Sequence, residues 1–321
     1  MNDIVKKPSI ILSDRLQELV RETKDYMEHS QSDNTIRSYV SDWKHFVSWC
    51  QSNSLPFLPA PDFVVALYIT ELAKTRKVST ISRRLLAIKA AHLHSKFESP
   101  TASTVVRRTW KGIVRTKGSV QSGKAPVLTD DLLRMLEKLP NGARGVRDKA
   151  ILLVGFAGAF RRSELANMKI ENVKSVRRGL LITLTRSKTD QEGKSQDVAI
   201  EFGRNEDTCP VLALEHWIKL AGFDSGPVFR RITKNDRILE SGISGQTISR
   251  LVKKYASLCG LNPHLYGGHS LRAGLATQAA INGASERSIM KQTRHKSRQV
   301  MEKYIRDANL FRDNASTYLG L

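Results

Sequence analysis

The chain has 321 residues, is 40% hydrophobic and carries a formal net charge of +21. That length allows one or two domains with a sizeable core, and that composition excludes a wholly disordered chain. An excess of positive charge opposes compaction and points to a polyanionic partner, nucleic acid ahead of a membrane surface or a merely basic soluble protein, because the basic residues run along the whole chain and do not gather in a tail.

Three cysteines, Cys50, Cys209 and Cys259, are an odd number without CxxC spacing. This argues against a disulfide framework and against zinc, and Cys50 and Cys259 read as small core residues. No run approaches the ~18 apolar residues of a membrane span, and no signal-peptide core opens the chain. The expectation is a cytoplasmic protein with no membrane partner. There is no Walker loop, GxGxxG or HExxH motif and no DxD-like carboxylate cluster. We therefore expect no cofactor and no metal, and not a two-metal nuclease.

Residues 1–11 are polar and basic and read as a flexible N-terminus. A helix follows Ser13, with Leu16, Leu19 and Val20 on one face. Another starts near Ser32 or Asp33, with Ile36, Val40, Trp43, Phe46, Val47 and Cys50 at helical spacing. A third follows Pro61. The fourth has Ile81, Leu85, Ile88 and His92 as its buried face, opposite Arg83, Ala87, Ala90 and His94, with Arg84 and Lys89 flanking. Small residues among basic ones suit close approach to a DNA groove, although a solvated, alanine-rich face has the same pattern. A fifth helix, after Pro100, points Arg107, Arg108, Lys111 and Arg115 outward. Residues 12–115 thus read as a helical domain with a basic surface. Residues 116–126 have the polar, glycine-bearing composition of a linker, and 127–321 form the second domain.

In that second domain, Thr129 opens a helix, and an apolar helix over Ala150–Phe156 runs into Ala-Phe-Arg161-Arg162-Ser-Glu164-Leu. Two arginines directly after a buried helix leave open whether one turns into a cleft or both face solvent. Period-2 alternation over 179–184 and again at Val198 and Ile200 predicts a small antiparallel sheet, with Lys188 in the polar turn between its strands. Helices are predicted from Pro210 (Leu212, Leu214, Trp217, Leu220), over 244–258, over 270–281, from Ser285 and after Ser297. The chain past 309 holds Phe311, Tyr318 and Leu319, an apolar-faced tail suited to docking elsewhere.

The stretch from Gly267 to Tyr304 spaces His269, Arg272, His295 and Tyr304 at intervals of about a helical segment. None is needed to fill a core, and all handle a phosphate or a proton. Phosphoryl transfer without metal carboxylates needs guanidiniums on the non-bridging oxygens, a nucleophile such as a tyrosine, a histidine to take its proton, and a mobile lysine as proton donor.

These motifs resemble the tyrosine recombinase (phage integrase) family. Ala159-Phe-Arg161-Arg162-Ser-Glu164-Leu is similar to its first arginine motif, Arg-Ser-Lys188-Thr to its strand-turn lysine, Gly-His269-Ser-Leu-Arg272 to its His-x-x-Arg box, and Lys-Tyr304-Ile-Arg to its nucleophile helix. His295 stands at the family's His-or-Trp position, and Thr35 through Phe46 and Trp49 resemble its helical core-binding domain. The resemblance implies a mainly α fold with a small antiparallel sheet in the catalytic domain (α+β), arranged as a two-domain DNA clamp. It implies a site-specific recombinase acting through a 3′-phosphotyrosyl link and a Holliday junction, a homotetramer on double-stranded DNA sites and a monomer when free. Its site residues would be Tyr304, Arg161, Lys188 (Lys194 competes), His269, Arg272, His295 and, in support, Glu164. Arg83, Arg84, Lys89, His94, Arg107, Arg108 and Lys111 are the expected N-terminal DNA contacts. A type IB topoisomerase and an inactive DNA-binding protein are the rival readings.

Overall fold

Residues 1–121 and 122–321 form two compact units. The computed structural model describes residues 33–118, 123–184, 195–295, 297–299, 301, 302, 304 and 319. The expectations for residues 1–32, for Lys188 and Lys194, and for the tail other than Leu319 lie outside these residues.

The first unit has four described helices: α1 (Asp33–Ser52), α2 (Asp62–Thr75), α3 (Val78–His94) and α4 (Thr104–Lys117). Asp62 opens α2 at the end where the helix dipole favours a negative charge, and the Ser103 hydroxyl caps α4 by accepting from Val106 N at 3.2 Å. Phe46, Cys50, Val64, Tyr68, Ile69, Ile81, Ile88 and Val106 bring the apolar stripes of all four together. Ile36 and Val40, read as part of the α1 stripe, stand 41% and 48% exposed. The packed face of α1 begins at Trp43.

An ion-pair cluster enters this core. Asp42, 4% exposed, accepts from Arg83 at 2.7 and 3.1 Å and lies 3.5 Å from Arg84. Arg84 also donates to the Tyr68 hydroxyl at 3.0 Å. A buried carboxylate needs such partners, and this need overturns the expected outward placement of Arg84. Arg84 is 8% exposed, and Ala87, read as part of the open face, is 2% exposed.

The second unit begins with α5 (Thr129–Glu137), α6 (Ala143–Ala157) and the short α7 (Arg162–Ala166). Strands β1 (Val173–Val176), β2 (Gly179–Leu184) and β3 (Gln196–Glu201) then pair antiparallel in sequence order. Leu180, Ile182, Leu184, Val198 and Ile200 face the core, as period-2 alternation requires. The register ends at Leu184↔Gln196, so β2 and β3 bracket the segment that holds Lys188.

Then come α8 (Pro210–Ala221), β4 (Arg230–Ile232), β5 (Ile238–Gly242), α9 (Gly245–Leu258), α10 (Gly268–Ile281) and α11 (Glu286–Thr293). Helix α6 is buried from Ala150 to Val154, all round its circumference, and forms the spine of this unit. On α8 the inward residues are Val211, Leu214 and Trp217, whose indole donates to Val228 O at 2.8 Å, while Leu212 and Leu220 lie outward. The β4–β5 hairpin is not among the elements expected from sequence. Its charged residues hide the alternation, and Arg230, 3% exposed, turns inward to donate to Glu240 O at 2.6 Å.

Helix α10 is held against the start of the unit, where Val127 N donates to Ser270 O at 3.0 Å. Gly274 permits this approach, since a Cβ there would strike the Val127 carbonyl.

Candidate active site

The turn between α6 and α7 is the first wall of the site. Ala159 takes a left-handed conformation, φ 47°, which costs energy for a residue with a Cβ, and Phe160 is fully buried beneath it. The next residue, Arg161, stands at the N-cap of α7. Its backbone N–H donates to Glu164 Oε2 at 2.8 Å, and its Nη1 lies 2.5 Å from Glu164 Oε1. Glu164 is therefore fixed at the third helical position by the pairing that favours an acidic residue there. Arg162 is exposed.

The second wall is α10. His269 and Arg272 stand three residues apart and share a face. Arg272 is 1% exposed and donates from Nη1 to Ala159 O at 2.8 Å. Its Nη2 is buried and has no hydrogen-bond partner among the described residues. A buried donor left unmade costs about 1–3 kcal/mol, so this geometry stores an affinity for an acceptor brought from outside. Burial, then Arg161 and Arg294, depress the Arg272 guanidinium to about 9.

The third wall follows α11. Arg294 adopts φ 56° and delivers His295. Arg298, Gln299, Met301, Glu302 and Tyr304 are helical. Met301 is fully buried in a small cluster with Ala276, Ala280 and Ile289, against which Tyr304 packs. This cluster, apart from the main core, seats the tyrosine. The Tyr304 hydroxyl lies 3.0 Å from His269 Nε2, and its ring stacks on His295 at 5.9 Å between centroids and 22° between planes.

Burial raises the Tyr304 phenol, and Arg272 works against that rise. Partial desolvation, then Arg272 and Arg161, hold His269 below the ordinary imidazole range. Burial, then Arg272 and Arg161, push His295 down to about 4. Both imidazoles are therefore neutral at pH 7. Burial alone would raise the Glu164 carboxyl, but Arg294 and Arg161 outweigh it and keep the group ionised. Three guanidiniums thus face one carboxylate, and the surplus suits an anion with several oxygens.

Of the residues singled out from sequence, Arg161, Glu164, His269, Arg272, His295 and Tyr304 converge here, drawn from three parts of the chain. In the first unit Lys89, His94, Arg107, Arg108 and Lys111 are exposed, and Arg83 is half exposed but already paired with Asp42. Arg84 is withdrawn from the surface, as described. The residue that sequence reasoning missed is Arg294. No motif marks it, and only the fold brings it within 2.8 Å of Glu164.

A helical unit with a three-stranded sheet and a tyrosine set among histidines and buried arginines defines the tyrosine recombinase class. The chain belongs to the phage integrase family, which it matches over residues 127–310. It is 38% identical over 316 residues to an integrase/recombinase XerD homolog of Selenomonas ruminantium, with 97% of this chain and 92% of that protein covered. It is 24% identical to the recombinase Cre of Escherichia phage P1, covering 91% and 88%. Among solved structures it is similar to the Tn1549 transposon integrase in complex with transposon right end DNA (TM-score 0.61, 13% identity, 90% and 97% covered). It is also similar to a lambda integrase dimer bound to a COC′ core site (TM-score 0.59, 16% identity, 89% and 75% covered). No helix among the described residues is long and apolar enough to cross a membrane.

Proposed function

We propose that the protein is a site-specific DNA recombinase that cuts and rejoins strands through a 3′-phosphotyrosyl intermediate. The observation that carries this is the Tyr304 hydroxyl 3.0 Å from a neutral His269 Nε2, beside the unmatched Nη2 of Arg272. The relatives' names and the DNA in the similar complexes support it.

The Tyr304 oxygen attacks the scissile phosphorus as its proton passes to His269 Nε2. This requires the tautomer with hydrogen on Nδ1. A P–O bond to tyrosine forms, and the bond to the 5′-oxygen breaks. Arg161, Arg272 and a hydrogen bond from neutral His295 stabilise the charge on the non-bridging oxygens. Lys188 protonates the departing 5′-oxygen. The phosphotyrosyl bond conserves the energy of the cut, so a 5′-hydroxyl from the partner strand reverses the step and rejoins DNA without ATP. Two such exchanges on paired sites pass through a Holliday junction.

On this reading four copies act on two double-stranded sites, each copy using residues 12–115 as a core-binding domain and 127–321 as the catalytic domain around the duplex. Lys89, His94, Arg107, Arg108 and Lys111 bear on the phosphate backbone, Arg83 more weakly because Asp42 already neutralises it. The tail past 309 couples neighbours, and the working compartment is the cytoplasm.

The test uses a pool of short randomised duplexes nicked near the centre, so that the cut fragment diffuses away. Full-length protein is expected to yield detergent-resistant adducts joined at a 3′ phosphate, and sequencing them reads out the target. Below saturation, their rate of formation should hold through pH 7 and fall only below about 6.5, where His269 takes up a proton. Absence of any adduct, or attachment at a 5′ phosphate, contradicts the proposal.

A further inference from the structure

Arg294 is the third guanidinium of the site among the described residues, and the cleavage chemistry assigns it no task. Its side chain is 7% exposed, and both of its terminal nitrogens are already engaged within the protein, so that only the buried Nε lacks a partner among the described residues. Its guanidinium is occupied on two edges. Nη1 donates to Gly158 O at 3.0 Å and to Gln292 O at 2.8 Å. Nη2 donates to Ala159 O at 3.1 Å and to Glu164 Oε2 at 2.8 Å. Its face lies 5.3 Å from the Phe160 ring centroid. One planar group therefore joins the α6–α7 turn to the end of α11, across more than 130 residues of sequence.

The partners of these bonds place the residues that would hold phosphate. Glu164 Oε2 also accepts from Arg161 N, and its other oxygen holds Arg161 Nη1. Arg294 thus binds the carboxylate on one side and leaves the other to orient Arg161. Ala159 O accepts from both Arg294 and Arg272, so the carbonyl that aims Arg272 is itself held by Arg294. His295 follows Arg294 directly, so the backbone turn at φ 56° sets where its ring begins. That conformation favours glycine, and a long charged side chain there needs a compensating gain. The four hydrogen bonds supply one.

We propose, on the strand-cleavage reading of this site, that Arg294 is a positioning residue that locks the Arg161 turn to the His295 loop and so sets Arg161, Arg272 and His295 in register for one phosphate. It touches neither the nucleophile nor the substrate. A misplacement of about 1 Å at a site of this kind costs on the order of 10²-fold in rate, and that is the scale of effect expected.

The experiment compares wild type, Arg294→Gly and Arg294→Lys on one nicked duplex captured by the wild-type protein, reading the adduct-forming rate at saturating DNA and the Kd separately. Glycine accepts the positive φ and removes the guanidinium. It should slow cleavage by about 100-fold with Kd changed by less than about twofold. Lysine restores a charge opposite Glu164 but not the planar fork to Ala159, so it should recover about tenfold of that loss. If the glycine variant unfolds, the lysine variant decides alone, with cleavage about tenfold slow at unchanged Kd as the expected result. A wild-type rate in either folded variant overturns the positioning role, as does a Kd that weakens in step with the rate, which would make Arg294 a DNA contact. Failure of the wild type to form adduct would instead count against the cleavage reading itself.

Discussion

Arg272→Lys slows strand cleavage by about 10³-fold and leaves the fold as stable as before. The side chain is 1% exposed, has one nitrogen on Ala159 O and another without a partner, and sits among Arg161 and Arg294, which depress it further. In the protein alone this is an unfavourable arrangement, relieved only when an anion accepts from the waiting nitrogen. Lysine keeps a positive charge but presents a point, not a fork, and cannot hold Ala159 O and a phosphate oxygen in one plane. Loss of a donor aimed at developing charge costs about 10²–10³ in rate, so adduct formation should fall by about 10³-fold. Ala159 O keeps its bond from Arg294 and the charge at the position is unchanged, so the thermal midpoint should move by less than about 2 °C. Single-turnover cleavage with calorimetry on the same samples checks both halves. Cleavage within tenfold of wild type would remove Arg272 from the phosphate site.

Glu164→Ala has the opposite signature, a large loss of stability. The carboxylate is 5% exposed and accepts from Arg161 N, Arg161 Nη1 and Arg294 Nη2. Removing it leaves two enclosed guanidiniums facing each other. Breaking a buried pair from one side costs about 3–5 kcal/mol, which in a unit of this size lowers the midpoint by about 10 °C. The pH dependence has a definite sign. The folded carboxyl titrates below its ordinary value, so its contribution is complete above that value and is lost as pH falls through the depressed one. The gap between wild type and variant in calorimetry should be widest at neutral pH and should narrow below about pH 4.5. An unchanged midpoint at pH 7 would show that Arg161 and Arg294 do not need this partner.

Much of this site was legible because the chemistry chose residue types that packing does not need. His269, Arg272, His295 and Tyr304 stand out in sequence for that reason, and the period change at Gly179 marked the sheet without reference to any relative. Arg161 was ambiguous locally, since nothing in Arg161-Arg162 says which one turns inward. The fold decides it through Glu164, three residues on. Arg84 misled because a basic residue beside an apolar stripe reads as surface, while a buried Asp42, 42 positions earlier, draws it in. Arg294 was invisible for a similar reason. Its partners, Gly158, Ala159 and Glu164, are remote in sequence, and a left-handed arginine has no sequence signature. What sequence alone does not carry is the pairing of distant polar groups inside a core.

The most direct measurement is adduct formation by Tyr304→Phe on the captured nicked duplex. Phenylalanine keeps the ring stacked on His295 and seated on the Met301 cluster, and removes only the hydroxyl that faces His269. The protein should fold, bind the duplex with a Kd within about twofold of wild type, and form no covalent adduct at all. A detergent-resistant 3′-linked adduct in that variant would mean that another residue attacks the phosphate.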